Sequence, residues 1–269
     1  MHQSKTKAPF HTMAAVMILC LFAGCAPRYV VPPQSTDPPS PEYILQRIQQ
    51  KDRTRTGLQG TAKVFIDAPN GKYVRNVAVV VERPDRLRLE AIPYFGTPDF
   101  LLSVNDGILK VFLPGEGHFY IGRSTKENFF SFFRIMLDAE EIIPLLTGAL
   151  PPIIPGTAEL SGAMTGVEYR IDVTNNGNIA SSLWVDLEHE AVKRITLYDA
   201  NGNTLYSAAY DDHLPVGETL FPHKIMISMD KPKKILATIR YSRLGPLQND
   251  CEELFDLSIP VGIRPIVIE

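Results

Sequence analysis

Apolar and polar residues alternate along most of the chain after Leu58, which is typical of strands that bury one face. Turn sequences such as Asn70-Gly71 separate the alternating stretches, and strands joined by such short turns are antiparallel. The pattern predicts a mainly β (α+β) fold, with a strongly curved antiparallel sheet or barrel of about 11–13 strands. The strands are expected near 58–67, 73–83, 85–92, 98–105, 108–113, 117–122, 157–162, 166–174, 180–188, 192–199, 204–211, 219–229 and 233–243.

Three stretches have helical spacing instead. The first is a helix over 41–51 that Ser40 can cap, with apolar residues on one face. The second, over 126–137, is apolar around most of its circumference and must therefore be enclosed. A third short helix begins after Asp138 and is closed by Gly148. We expect the last two helices to plug the concave side of the sheet; a plain β-sandwich with helices on an outer face is the alternative.

The first 24 residues have the features of a signal peptide. Lys5 and Lys7 form a basic start, and residues 13–24 are apolar or small, a run too short to span a bilayer. The sequence Ala23-Gly24-Cys25 resembles the cleavage site of bacterial lipoproteins, although Phe22 departs from the usual aliphatic residue. This resemblance implies cleavage before Cys25 and acylation of Cys25. An ordinary secretory signal that contains a cysteine is the alternative.

The remaining chain divides into two parts. Residues 25–39 are rich in proline and have little to bury, which predicts an extended tether. Residues 40–269 contain no further linker and are interpreted as one domain. Apart from Cys25, the chain after the signal peptide contains a single cysteine, Cys251, so no disulfide is predicted.

Charge and motifs argue against several functional classes. Residues 1–24 contain two lysines and no acidic residue, so their removal changes the net charge from -3 to -5, which disfavours nucleic-acid binding. The histidines lack the spacing of metal ligands, and the one local carboxylate–histidine cluster, Asp211-Asp212-His213, is also typical of a solvated turn. Nucleophile-elbow and Cys-x-x-Cys motifs are absent from the sequence. We expect no enzymatic activity, no metal site and no cofactor.

The connection that follows residues 86–90 is unusually apolar for a turn between strands. Tyr94 and Phe95 are bracketed by prolines and followed by Gly96. One interpretation is a loop that folds back and buries both aromatic residues. The other is an exposed wedge that enters a membrane interface or contacts an acylated partner.

Two segments carry a resemblance to a known family. The stretch from Glu82 to Gly96, with Pro93-Tyr-Phe-Gly96 at its end, and Leu146-Thr-Gly-Ala-Leu-Pro151 resemble the LolB family of outer-membrane lipoprotein receptors, within the superfamily that includes the LolA carriers. The resemblance implies a half-open antiparallel barrel, covered by helices, that encloses an apolar cavity for acyl chains. It also implies that Phe95, next to an inserted Tyr94, is the exposed residue that delivers cargo.

The signal sequence and the family resemblance together favour a LolB-like outer-membrane lipoprotein, anchored by lipid on Cys25 and facing the periplasm, that takes acylated lipoprotein cargo. The resemblance also implies a LolA-like periplasmic carrier as a partner. We expect the protein to be a monomer. The alternative is a non-transporting envelope lipoprotein whose cavity is filled by its own side chains. The candidate cavity-lining residues are Phe129, Phe132, Phe133 and Met136, although packing of a helix face explains them equally well.

Overall fold

A computed structural model describes residues 38–152, 158–231, 233–247 and 252–269. The predicted signal peptide, Cys25 and nearly all of the predicted tether lie outside these residues, as does Cys251, so the expectations for them remain predictions. No helix in the described ranges has the length and apolar character needed to cross a membrane.

The described strands form one curved, open sheet of 14 strands. Neighbouring strands are antiparallel, except that β14 is parallel to β6. The spatial order is β14-β6-β5-β4-β3-β2-β1-β13-β12-β11-β10-β9-β8-β7. The strands are β1 Gly57–Ala68, β2 Gly71–Glu82, β3 Arg86–Ala91, β4 Leu101–Asn105, β5 Ile108–Leu113, β6 His118–Arg123, β7 Glu159–Thr165, β8 Glu168–Asn175, β9 Asn178–Asp186, β10 Ala191–Tyr198, β11 Thr204–Val216, β12 Thr219–Met229, β13 Ile235–Pro246 and β14 Pro265–Ile268.

The predicted fold class is confirmed, and each predicted strand is present, β5 and β12 with the predicted ends and the others with shifted ends. The largest shift is in β11, which continues to Val216 because its pairing with β12 extends to Thr219. Strand β14 was not expected. The sandwich alternative is wrong, because a sandwich needs two sheets and these strands belong to one.

Three α-helices in the described ranges pack on this sheet. Helix α1 (Pro41–Thr54) is capped by Ser40, whose hydroxyl accepts a hydrogen bond from the Tyr43 amide at 3.3 Å. Helices α2 (Lys126–Phe133) and α3 (Ala139–Thr147) follow β6. Buried apolar residues of all three helices belong to the same core as the inward side chains of the strands. The helices therefore cover the face that the alternating strand pattern buries.

The ends of α2 and α3 follow from local capping. Helix α2 ends at Phe133, four residues before the predicted end, because Arg134 has a left-handed backbone conformation (φ 61°). Helix α3 begins with the predicted Asp138 cap, which forms a reciprocal capping box with Glu141. Gly148 closes it, also in the left-handed conformation, as predicted.

Helix α1 is held against the β9–β10 turn by ion pairs. Arg47 Nε lies 2.8 Å from Glu190 Oε1, and Lys51 Nζ lies 2.8 Å from Glu190 Oε2. Hydrogen bonds from these two cations lower the pKa of Glu190 from 4.5 to about 2. A depressed carboxyl pKa stabilises the fold above the unfolded-state value, and that contribution is lost as the pH falls towards 2.

We expect Glu190→Gln to lower the free energy of unfolding at pH 7 by at most about 1 kcal/mol, since the ion pairs are partly exposed. Its stability should also depend less on pH than that of the wild type between pH 5 and 2. Urea unfolding at several pH values measures both effects, with exposed Glu188→Gln as the control. Identical dependence of stability on pH in the wild type and in Glu190→Gln would contradict the lowered pKa assigned to Glu190.

Candidate functional site

An apolar cavity lies between the sheet and the segment that contains α2 and α3. Its volume is about 140 Å³, and its accessible surface is formed by apolar atoms throughout. Strands β1, β2, β3, β12 and β13 form one wall, and residues 129–146 contribute to the other. The strand residues that line it include Val64, Val77, Leu89, Ile227 and Ile239.

Two of the four predicted lining residues face this cavity. Phe129 and Phe133 are one helical turn apart on α2, so they share the face of the helix that lines the cavity. Phe132 does not line it: its ring packs against Tyr120 of β6, with centroids 5.0 Å apart. Met136, which follows the end of α2 and so leaves the helical face of Phe129 and Phe133, does not line it either. Ile135 and Leu137, in the connection between the two helices, line the cavity instead.

The size of the cavity limits what it can hold without a change of shape. A cavity of about 150 Å³ lined by aliphatic and aromatic side chains binds benzene, so a cavity of this size has room for roughly six carbon atoms. Each buried methylene contributes about 0.8 kcal/mol. The cavity therefore suits one end of an acyl chain, and a whole chain would need to extend through the mouth or displace wall residues.

The apolar connection between β3 and β4, here called the wedge loop (residues 92–100), projects from the sheet. Tyr94 is 86% exposed and Phe95 is 96% exposed, so the interpretation that the loop buries them is wrong. Gly96 has φ +79°, a conformation that favours glycine. The tip of the loop therefore presents two aromatic side chains to solvent without covering either of them.

The base of the wedge loop is fixed to the sheet. The Ala91 amide donates a hydrogen bond to the Phe100 carbonyl at 3.1 Å, and the Ile92 amide donates one to the Asn76 carbonyl at 2.7 Å. An ion pair joins Arg75 Nε of β2 to Asp99 Oδ2 at 2.6 Å. These contacts join the two ends of the loop to each other and to Arg75 and Asn76, near the middle of β2.

The base of the loop is also part of the cavity rim. Phe100 lines the cavity, and its ring meets that of Phe133 edge-on with centroids 5.6 Å apart. Arg75 is another lining residue. Five residues of extended chain span at most about 18 Å, so Phe95 lies within that distance of the lining residue Phe100. The wedge loop therefore connects the two predicted features, because its base lines the apolar cavity and its tip is exposed.

Comparison with known proteins identifies the architecture. No family model and no curated protein sequence matches this chain. A LolA superfamily protein from Nitrosomonas europaea matches with a TM-score of 0.55 and 13% identity, covering 82% of this chain and 99% of that protein. The chain has a LolA-like fold.

Two further solved structures match this LolA-like fold to a similar degree. One, from Vibrio parahaemolyticus, is a domain named for outer membrane lipoprotein sorting; it has a TM-score of 0.55 and 12% identity and covers 80% of this chain and 95% of its own. The other is a DUF1329 family protein from Desulfovibrio piger with a TM-score of 0.56, 15% identity and the same coverages. At these identities the likeness extends to the fold alone.

A second, larger depression lies elsewhere on the LolA-like fold. This groove has a volume of about 580 Å³ and a partly polar surface, with Asp52, Arg53, Arg55 and Arg83 among its lining residues. Charged walls are costly for an apolar chain to dehydrate, so this groove is unsuited to acyl groups despite its size. The apolar cavity is the better candidate.

Asp211 of the carboxylate–histidine cluster is paired with a lysine on the neighbouring strand. Asp211 Oδ2 lies 2.8 Å from Lys224 Nζ on β12, and this contact lowers the pKa of Asp211. Burial and the nearby Lys193 lower the pKa of His213 to about 4, which keeps its imidazole neutral at pH 7. Within the ranges that the structure describes, no three His, Cys, Asp or Glu side chains are grouped closely enough to hold a metal ion.

Sequence reasoning missed most of the cavity wall. Val64, Val77 and Ile239 are ordinary inward-facing strand residues, and alternation alone does not distinguish a strand residue beside a cavity from one in a filled core. Arg75 was missed as well. Arg75 is a charged residue at an inward-facing position of β2, between Tyr73 and Val77, and a charge at such a position is unusual. The sequence alone does not show that the neighbours of Arg75 form a cavity.

Proposed function

We propose that this protein is a LolB-like lipoprotein that binds acyl chains of lipoproteins in its apolar cavity and helps to insert them in the outer membrane. Lipid on Cys25 would hold the domain at that membrane, on the periplasmic side, and a LolA-like carrier would supply the cargo to the monomeric protein. The observation that carries the proposal is the wedge loop: its base forms the rim of a wholly apolar cavity, and its aromatic tip is exposed.

The energetics support release as well as binding. A cavity with room for roughly six carbon atoms buries only part of a long acyl chain, whereas a bilayer buries all of it at about 0.8 kcal/mol per methylene. Transfer from the cavity to the membrane is therefore downhill and needs no covalent step. An aromatic tip that enters the interfacial region brings the cavity mouth to the bilayer surface.

Replacing Phe95 by glutamate tests the role of the tip. We expect a fall of about tenfold or more in the rate at which a fluorescent diacylated-cysteine peptide moves from the protein to liposomes, because a charged tip resists entry to the membrane. Stability should not change, since Phe95 is almost fully exposed. Stopped-flow fluorescence measures the rate, and urea unfolding measures the stability.

Val167→Glu is the matched control. Val167 is 91% exposed in the β7–β8 turn, which the strand registers place at the opposite end of the sheet from the wedge loop. The Val167→Glu variant should transfer the peptide at the wild-type rate. If Phe95→Glu also transfers at the wild-type rate, the wedge loop has no part in delivery.

A second function is supported by the small volume of the cavity. A domain that fills its cavity with its own side chains would serve as a non-transporting envelope lipoprotein and bind a protein partner on its surface. The same assay separates the two functions. A wild-type protein that does not take up the acylated peptide would favour the non-transporting role.

A further inference from the structure

Arg75 is the single charged residue among the described residues that line the apolar cavity. The cavity surface contains no polar atoms, so the aliphatic part of Arg75 forms the wall and its guanidinium group lies outside the apolar surface. The side chain is 54% exposed. Its charge is therefore placed at the rim, where a ligand with its apolar end in the cavity would place a polar group.

The present partner of Arg75 belongs to the wedge loop. Arg75 Nε contacts Asp99 Oδ2 at 2.6 Å, and Arg75 Nη1 donates a hydrogen bond to the Val74 carbonyl at 2.8 Å. Asp99 is itself 58% exposed. Ion pairs this exposed contribute at most about 1 kcal/mol, so another anion can replace Asp99 without a large loss of stability.

We propose that Arg75 recognises the anionic group of an amphiphile whose acyl end occupies the cavity. The inference rests on the proposed function, because it assumes that the cavity takes acyl chains. A carboxylate or phosphate attached to the chain accepts hydrogen bonds from the guanidinium group of Arg75 and displaces Asp99. A fatty acid and an anionic phospholipid share this chemistry.

Displacement of Asp99 links the ligand to the wedge loop. The Arg75–Asp99 ion pair is one of the contacts that hold the base of the loop to β2, next to the hydrogen bond between Ile92 and Asn76. A ligand whose anionic group pairs with Arg75 removes the contact between Arg75 and Asp99. Asp99 and the ligand anion therefore compete for one guanidinium group, and weakening Asp99 should strengthen ligand binding.

Calorimetric titration with octanoate and octanol tests the proposal on the chain from residue 25 onward carrying Cys25→Ser, which prevents acylation. We expect the wild type to bind octanoate about tenfold more tightly than octanol. Arg75→Gln should lose this preference and keep its affinity for octanol. Asp99→Asn should bind octanoate several-fold more tightly than the wild type. Arg88→Gln, on the other face of β3 from the lining residue Leu89, is the control and should behave as the wild type.

Each other outcome has a distinct meaning. Equal affinities for octanoate and octanol in the wild type would overturn the role of Arg75 and leave the proposed function intact. If Arg75→Gln loses affinity for octanoate and octanol equally, Arg75 contributes only the aliphatic part of its side chain to the cavity wall, and the proposal is overturned. Displacement of octanoate by acetate at similar concentrations would indicate a site for free anions and would also overturn the proposal. If neither octanoate nor octanol binds, the proposed function fails too.

Discussion

Replacing Ala237 by phenylalanine is expected to abolish binding of acyl-chain ligands. Ala237 lies on β13, is buried, and lines the cavity. The substitution adds a phenyl ring, and a cavity of about 150 Å³ is the size that accepts benzene. The new side chain should therefore occupy the space that the ligand would use. Titration with octanol, whose binding does not depend on Arg75, measures the loss.

The neighbouring residue provides the control for Ala237→Phe. Leu236 points to the opposite face of β13 and is partly exposed, so Leu236→Phe adds bulk to the same strand without entering the cavity. Leu236→Phe should bind octanol as the wild type does. Overpacking typically costs 1–3 kcal/mol, so the stability of both variants should be compared by urea unfolding. Wild-type binding by a folded Ala237→Phe would place the ligand elsewhere.

The second large effect is expected at a buried ion pair that joins α1 to the end of α3. Arg55 Nη1 contacts Asp52 Oδ1 at 2.7 Å and also donates a hydrogen bond to the Gly148 carbonyl at 3.0 Å. Asp52 Oδ2 accepts a hydrogen bond from the Leu150 amide at 2.8 Å. We expect Arg55→Met to lower the free energy of unfolding by about 3–5 kcal/mol, because it leaves Asp52 buried without its charged partner. Urea unfolding measures this loss.

Removing both charges should be less harmful than removing one. Burial raises the pKa of Asp52 and lowers that of Arg55, so for both groups the cost of dehydration exceeds the attraction between them. The double variant Asp52→Leu with Arg55→Met should therefore be more stable than either single variant. A double variant whose loss equals the sum of the single losses would mean that the two side chains act independently.

Much of the fold could be predicted because its signals are local. Alternation and turn residues predicted β1 to β13, and the capping residues Asp138 and Gly148 predicted α3. Strand β14 could not be predicted in this way. It has four residues, follows no hairpin turn, and pairs in parallel with β6, which is more than a hundred residues away in the sequence. A pairing of that kind leaves no local pattern.

The site was predictable in part for the same reason. Prolines and a glycine around Tyr94 and Phe95 indicated a rigid connection, and the aromatic residues were informative because turns are usually polar. The end of α2 at Phe133 was not predictable, because Arg134 takes a left-handed conformation that a side chain other than glycine seldom adopts. That early end is why helical spacing wrongly places Met136 with Phe129 and Phe133. Phe132 lies within α2 but on the side of the helix that packs against Tyr120, a contact that the sequence does not reveal.

The buried ion pair was missed because its partners are far apart in the sequence. Asp52 and Arg55 look like the polar end of a surface helix, and nothing nearby indicates burial. Their surroundings come from Gly148, Leu150 and Leu220, which the sheet brings together only in the folded protein. Hydrophobic periodicity reports local structure, so it does not predict long-range polar contacts of this type.

Native mass spectrometry tests most directly whether the apolar cavity takes acyl chains. The chain from residue 25 onward with Cys25→Ser would be incubated with the diacylated-cysteine peptide, separated from excess peptide, and weighed beside Ala237→Phe treated in the same way. We expect the wild type to retain the peptide and Ala237→Phe to retain none. A wild type that retains no acylated peptide, or a folded Ala237→Phe that retains as much as the wild type, would contradict binding of acyl chains in the cavity.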